Sequence, residues 1–349
     1  MNASTASSSQ RGGTRDKKAR KQLDVTCSSH GGATRAEKKL KKKAESSNQK
    51  WEEEVKQRQA TYRHPTFDMM QHFLDFSRDK LAYTADFEAK EASEASRMAD
   101  NCIVFDSRGN VLLRKFSSSY GLKKDAQQKL AEITDRLSAA YPPPRSGEED
   151  GRVPKDRDGP VQRSGSYHFR SALVGQTKDT AEYSTPITGI FGPVCSFLLD
   201  LDHANQVLTG IFEYFEPDMF LEYREAIETL PPDRKVLFTG TSDKGVWCDR
   251  VVRINKNTHC HRELRDRKDG FSFMFTIGKF DGGDLCLPKL KLRIPFGSGS
   301  VIMLRSALLE HFVCPWEGEY RYQFTYSTHQ DIFDWARDYK YATQKYNRR

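Results

Sequence analysis

Three features are scarce or missing in this 349-residue sequence, and each excludes a class of protein. The seven cysteines, at positions 27, 102, 195, 248, 260, 286 and 314, are odd in number and form no C-x-x-C pair, which argues against a disulfide framework or a paired-thiolate zinc site. No window approaches the roughly 18 to 20 apolar residues that a membrane-crossing helix needs, and no apolar stretch opens the chain as a secretory signal. The expectation is a soluble, intracellular, reduced protein with no membrane partner.

The third scarcity is net charge outside the first 60 residues. The formal charge is +8, yet residues 1–60 hold 15 Lys+Arg against 7 Asp+Glu, while residues 61–349 hold 41 of each. The excess belongs to a Ser-, Gly- and Lys-rich segment containing RDKKARK (15–21) and RAEKKLKKK (35–43), which has too little apolar surface to fold alone. We expect residues 1–60 to be a disordered basic tail. Such clusters suit nuclear import or contact with phosphates, and they also suit a plain solubilising arm.

The remainder divides by composition into residues 61–142, helical with one hairpin; 143–165, a charged Gly/Pro-punctuated linker or long loop; and 166–345, dense in aromatic and branched residues. From 51 to about 97 the apolar spacing is helical. NCIVFDSRGNVLLRKF then reads as a hairpin turned at Arg108-Gly109-Asn110, and a helix is expected from 123 to 140. Another helix covers PDMFLEYREAIETL, and the last runs from about 331 to 344. Between them FSFMFTIG, LCLPKLKLRIPF, SVIMLRS and EYRYQFTYS are short strands separated by turns such as Asp281-Gly282-Gly283, the pattern of a jelly roll or related barrel. The fold class expected is α+β.

Within this block stands His261-Arg262-Glu263. On an extended segment, residues two apart point to the same side about 6 to 7 Å from each other, so the imidazole and the carboxylate can converge on one metal. The pattern alone is weak, since His329-Gln330-Asp331 repeats it. His311, 50 residues after His261, follows a strand, and Arg321 lies ten residues further on the next one. Two histidines and one carboxylate leave three metal positions open, as in non-haem Fe(II) oxygenases, and an Arg beside them can clamp a carboxylate in a bidentate pair. In EYRYQFTYS, Arg321, Gln323, Thr325 and Ser327 share one face and Tyr320, Tyr322, Phe324 and Tyr326 the other, so a polar face can line the barrel while aromatics pack outward. A zinc reading of Cys248 with His259-Cys260-His261 lacks paired ligand spacing.

The segment 261–329 resembles the TET/JBP (ten-eleven translocation and base-J) dioxygenases, fungal type. The resemblance rests on His261-Arg262-Glu263, Asp266, Gly270, the run GKFDGGDLCLP (278–288), Leu309-Glu310-His311 and Gly318-Glu319-Tyr320-Arg321. It implies a double-stranded β-helix with flanking helices, Fe(II) held by His261, Glu263 and His311, and 2-oxoglutarate anchored by Arg321. It further implies that Asp266 and His329 hydrogen-bond a flipped base, which requires the chain to turn near Ser327. Two positions depart from the family: Glu263 stands for an Asp, and Ser327 stands where some members stack an aromatic on the base.

Three functions follow from these readings. The leading one is oxidation of a methylated base, 5-methylcytosine, in nucleic acid, DNA rather than RNA, within the nucleus. The neutral balance of 61–349 suits a hydroxylase of a protein side chain or small molecule instead. Glu263 suits a non-catalytic barrel that binds nucleic acid.

Overall fold

A computed structural model describes residue 53 and residues 59–74, 83–143, 164–170, 187–230, 246–256 and 258–347. Most of the expected tail and most of the expected linker lie outside the described residues, and the architecture that follows belongs to the unit Glu54–Arg349.

Its elements in chain order are β1 (Ala60–Arg63), α1 (Met69–Leu74), α2 (Ala85–Glu94), β2 (Ser96–Arg97), β3 (Cys102–Phe105), β4 (Val111–Phe116), α3 (Lys124–Ala140) and β5 (Gly165–Arg170). There follow α4 (Ile187–Asp200), α5 (Asp202–Phe215), α6 (Pro217–Thr229), β6 (Asp249–Ile254), β7 (Ser272–Gly282), β8 (Leu285–Leu287), β9 (Leu292–Ile294) and β10 (Val301–Leu304). The chain ends with β11 (Phe312–Val313), β12 (Trp316–Ser327) and α7 (Gln330–Asn347). One sheet runs β1-β3-β4-β10-β7-β12-β6-β5 and a smaller one β11-β8-β9-β2. Leu113, Met274, Ile302 and Leu304 of the large sheet share a buried cluster with Leu285, Leu287, Leu292, Ile294 and Val313 of the small one. The two sheets therefore face each other, and the fold is an α+β double-stranded β-helix with flanking helices.

Alternation along β7 explains both faces of the large sheet. Ser272, Met274 and Thr276 point inward, while Phe273, Phe275 and Ile277 point outward and are buried beneath the helices. Phe275 stacks on Phe324 of β12 at 4.5 Å, and Phe273 packs against Trp247 at 4.9 Å and Phe212 of α5 at 5.4 Å. Such aromatic pairs add about 0.5–1.5 kcal/mol each beyond burial of their area. They make the outer face the rigid backing on which the polar inner face is displayed.

The hairpin forms as expected, turned at Gly109 with φ +93°, and the helices over 124–140, 217–229 and 330–347 lie where the pattern places them. The helical reading of 51–97 is corrected. Ala60–Arg63 is a strand, paired parallel to β3, and α1 and α2 are short. Four residues added to a sheet edge gain ladder hydrogen bonds that no local pattern announces. No disulfide joins the six cysteines among the described residues. No described helix is long and apolar enough to cross a membrane.

Candidate metal centre

His261 and His311 face each other across an isolated antiparallel bridge, each N–H donating to the other's carbonyl at 3.1 and 2.9 Å. Their ring centroids are 4.5 Å apart, and Glu263 Oε1 lies 3.2 Å from His261 Nε2. One ligand atom from each of His261, Glu263 and His311 lies within 4.8 Å of the other two, the one such group among the described residues. The bridge brings together segments 50 residues apart in sequence, and the Glu263 N–H to Ser306 carbonyl bond at 3.1 Å fixes the third member.

The tautomers follow from the carbonyls. His261 Nδ1 is 2.7 Å from the His259 carbonyl and His311 Nδ1 is 2.9 Å from that of Leu309. A carbonyl only accepts, so each Nδ1 carries the proton, and a neutral ring then presents its Nε2 lone pair inward. Burial, then the charge of His261, drives His311 down to about 3, so its ring is neutral at physiological pH. Burial works against ionisation of Glu263, but the His261 hydrogen bond and the charges of His261, Arg253 and His311 together hold its carboxyl well below the usual range. The ligand atoms of the two imidazoles and the carboxylate gather within 4.8 Å, and this donor set suits a divalent first-row metal, which would take the place of the His261–Glu263 hydrogen bond.

Arg321 supplies a second, separate requirement. It is 1% exposed, lies between the rings of Phe280 and Phe296 at 5.3 and 5.5 Å, and donates Nη1 to Gln323 Oε1 at 3.1 Å. Its Nε and Nη2 find no protein acceptor. Burial, then repulsion from Arg253, brings its pKa down to about 9. Leaving charged donors unmatched in a buried site is costly, so this guanidinium fits a carboxylate ligand. Gly283, at φ +69°, allows the 281–283 turn to close over it: a Cβ there would stand 3.2 Å from Arg321 Nε.

The polar face of β12 is buried as expected, and the chain turns directly after Ser327, placing His329 before α7. Asp266 and His329 form an isolated bridge of their own, with His329 Nε2 3.9 Å from Asp266 Oδ1. Ser272 and Ser306 hydroxyls donate to Asp266 Oδ2 at 2.5 and 3.1 Å. Burial and the neighbouring Glu263 charge push Asp266 up to about 8 against hydrogen bonds from Ser272 and Ser327. Four of the six residues singled out in the sequence form these two bridges, the Asp266 N–H to Glu263 carbonyl bond at 3.0 Å links the bridges, and Arg321 lies on the buried polar face of β12.

The zinc reading set aside for its spacing gains nothing from the structure. Cys248 packs with Ala226, Ile227 and Ile332, whereas Cys260 packs with Cys286 and Phe312, so the two thiols belong to separate cores. Sequence reasoning missed Arg253, whose Nη2 stands 3.7 Å from Glu263 Oε1 and whose Nη1 donates to Thr325 Oγ1 at 3.1 Å. It also missed Asp249, whose Oδ2 is 3.8 Å from His329 Nε2. Both lie on the inward parity of β6, a signal readable only once β6 is known to pair with β12.

No protein-family profile matches this chain, and no curated protein matches it. Among solved structures, it is similar to NgTET1 in complex with 5mC DNA at 13% identity, over 68% of this chain and 79% of that one, with a TM-score of 0.47. It is also similar to OsALKBH1 at 12% identity, over 62% and 96% of the two chains, TM-score 0.32. A viral collagen prolyl hydroxylase from Paramecium bursaria Chlorella virus-1, bound to 2OG, is similar at 12% identity over 62% and 94%, TM-score 0.29. In its motifs the chain resembles the TET/JBP oxygenases, and its structural likenesses include a TET protein.

Proposed function

We propose that this chain is an Fe(II)- and 2-oxoglutarate-dependent dioxygenase that oxidises the methyl group of 5-methylcytosine in DNA. The observation that carries the reaction class is the gathering of two imidazoles and a carboxylate with ligand atoms within 4.8 Å of one another, together with a buried guanidinium that has two unmatched donors. His261, Glu263 and His311 would hold the metal, and Arg321 the distal carboxylate of 2-oxoglutarate. Iron bound with 2-oxoglutarate and dioxygen supplies C–H hydroxylation, 2-oxoglutarate leaving as succinate and carbon dioxide.

The chain's own residues do the rest. The barrel wall of Met274, Ile302 and Leu304 keeps bulk water from the interior, and Gln323 holds the Arg321 fork in one orientation. Asp266 and His329, both close to the metal group, would hold a base extruded from the duplex, since chemistry on a base requires it to leave the stack. The NgTET1 structure supports this substrate by its contents, 5mC DNA, and the tail at 1–60 supports it by its charge. The same tail motivates a nuclear location, tested by imaging a fluorescent fusion with and without residues 15–43.

The neutral balance of residues 61–349 favours a second reading, hydroxylation of a protein side chain or small molecule. The deciding experiment incubates the purified chain with Fe(II), 2-oxoglutarate and duplex DNA carrying 5-methylcytosine, with nucleosides and succinate measured by mass spectrometry. Oxidised base with matching succinate supports the first reading. Succinate without oxidised base moves the assignment to the second.

A further inference from the structure

Glu88 is a buried residue, 2% exposed, on α2, the helix whose Phe87 and Ala92 pack with Cys260, Cys286, Phe312 and Cys314 on the outer face of the small sheet. Other contacts dock that helix: Lys291 Nζ reaches Glu91 Oε2 at 2.8 Å and Glu94 Oε2 at 3.1 Å, and Arg293 Nη1 donates to the Ala92 carbonyl at 3.2 Å. Glu88 instead meets the 259–261 segment, where its Oε1 accepts the Cys260 N–H at 2.7 Å and lies 3.4 Å from His259 Nδ1. The carbonyl of the same peptide unit, that of His259, accepts the proton of His261 Nδ1 at 2.7 Å. The peptide is trans, so its N–H and C=O point opposite ways from one rigid plane. Clamped at its N–H by Glu88, this plane holds the His261 ring at its C=O.

We infer that Glu88 is a positioning residue for the metal, acting on His261 through the His259–Cys260 peptide; this rests on the metal-binding role proposed above for His261, Glu263 and His311. A buried N–H left without an acceptor is costly, and Cys260 is 5% exposed, so removing the Glu88 oxygen drives the peptide to rotate toward another acceptor. Rotation takes the His259 carbonyl off His261 Nδ1. The ring then loses both the bond that fixes its orientation and the one that keeps the proton on Nδ1 and the lone pair on Nε2. In many metal sites a carboxylate or a carbonyl bonds the ligating imidazole directly. Here the two stand in series, and the carboxyl comes from 172 residues earlier in the chain than the peptide it holds.

The test titrates the metal-free full chain with Co(II) alone, following the visible absorption that reports the geometry of the bound ion, with far-ultraviolet circular dichroism as the measure of folding. Glu88→Gln keeps an acceptor oxygen at the same reach, whereas Glu88→Met keeps the length of the side chain and removes the acceptor. Glu91→Gln weakens the docking of α2 without touching the 259–260 peptide. The expected result is a loss of Co(II) affinity of about tenfold or more in Glu88→Met, with an altered spectrum, and near wild-type affinity and spectrum in Glu88→Gln and Glu91→Gln. Wild-type behaviour of Glu88→Met overturns the inference. So does a Glu88→Gln variant as impaired as Glu88→Met, since it retains the acceptor. An equal loss in Glu91→Gln overturns it by assigning the effect to helix docking, and an unfolded Glu88→Met overturns it by making Glu88 a support of the fold. A folded wild-type chain that takes up no Co(II) overturns the metal reading itself.

Discussion

Arg253 Nη2 lies 3.7 Å from Glu263 Oε1, so a buried cation stands behind the carboxylate of the metal group. Glu263 has one more rotatable bond than the Asp its position resembles, and a longer arm needs a partner to stop it swinging. Arg253 is itself pinned by Thr325 Oγ1, making β12, β6 and the 261–263 segment one bracket. A cation so close also repels a metal, but groups that orient a ligating carboxylate cost about 10–100-fold in metal affinity when removed. Arg253→Gln is therefore expected to weaken Mn(II) binding by about tenfold or more, read by calorimetry. Tighter binding would show that repulsion outweighs orientation.

His311→Ala removes the most buried of the three donors. Metal binding is expected to fall below detection by calorimetry and succinate formation to background, while the far-ultraviolet circular dichroism stays unchanged, since the bridge to His261 is made by backbone groups. The variant loses about 2–3 kcal/mol of packing on the scale of large-to-small changes, small enough to leave the fold intact at room temperature. Equal succinate from variant and wild type would remove the metal role from His311.

Much of this centre is legible in the sequence, and what is not has a common cause. The faces of β12 follow from period-two alternation, and the hairpin turns follow from glycine, both local signals. Arg253 and Asp249 acquire meaning only from the antiparallel register that sets Gln323 opposite Arg253 and Ser327 opposite Asp249. Strands of two residues, such as β2 and β11, are too short for any periodicity. The bridge between His261 and His311 likewise joins segments whose local patterns are independent.

Arg321→Met separates stability from ligand binding. The guanidinium is 1% exposed with two unmatched donors, so an apolar side chain of similar length removes a desolvation cost from the ligand-free protein. The melting temperature without 2-oxoglutarate should stay level or rise. The increase that 2-oxoglutarate brings to the wild type should vanish, and its dissociation constant should rise by about 10–100-fold, the worth of a charge-assisted pair. A ligand-induced shift that survives in Arg321→Met would place the carboxylate elsewhere.

The pH dependence of the metal-free protein turns on Asp266. Burial, then the Glu263 charge, raises its folded pKa to about 8 from an unfolded value near 3.8, so the native state holds the proton more tightly. The resulting contribution to stability is fully present below pH 3.8 and is lost as pH rises through about 8. In EDTA, the midpoint of urea unfolding is expected to fall between about pH 4 and 8 and to level off above, and Asp266→Asn should flatten that decline. A steeper decline in the variant would assign the titration to another group.

Gly283→Ala tests the lid of the Arg321 site without replacing any charged residue. At φ +69° an L-residue costs about 1–2 kcal/mol, and the new Cβ would press on Arg321 Nε from 3.2 Å. Because Trp316 and Phe280 crowd the same point, the turn cannot slide aside freely, and the guanidinium is the softest neighbour. The displacement should reach the ligand, so the dissociation constant for 2-oxoglutarate is expected to rise severalfold while Mn(II) affinity measured without 2-oxoglutarate is unchanged. Equal losses in both affinities would mean that the 281–283 turn supports the whole barrel mouth rather than Arg321 in particular.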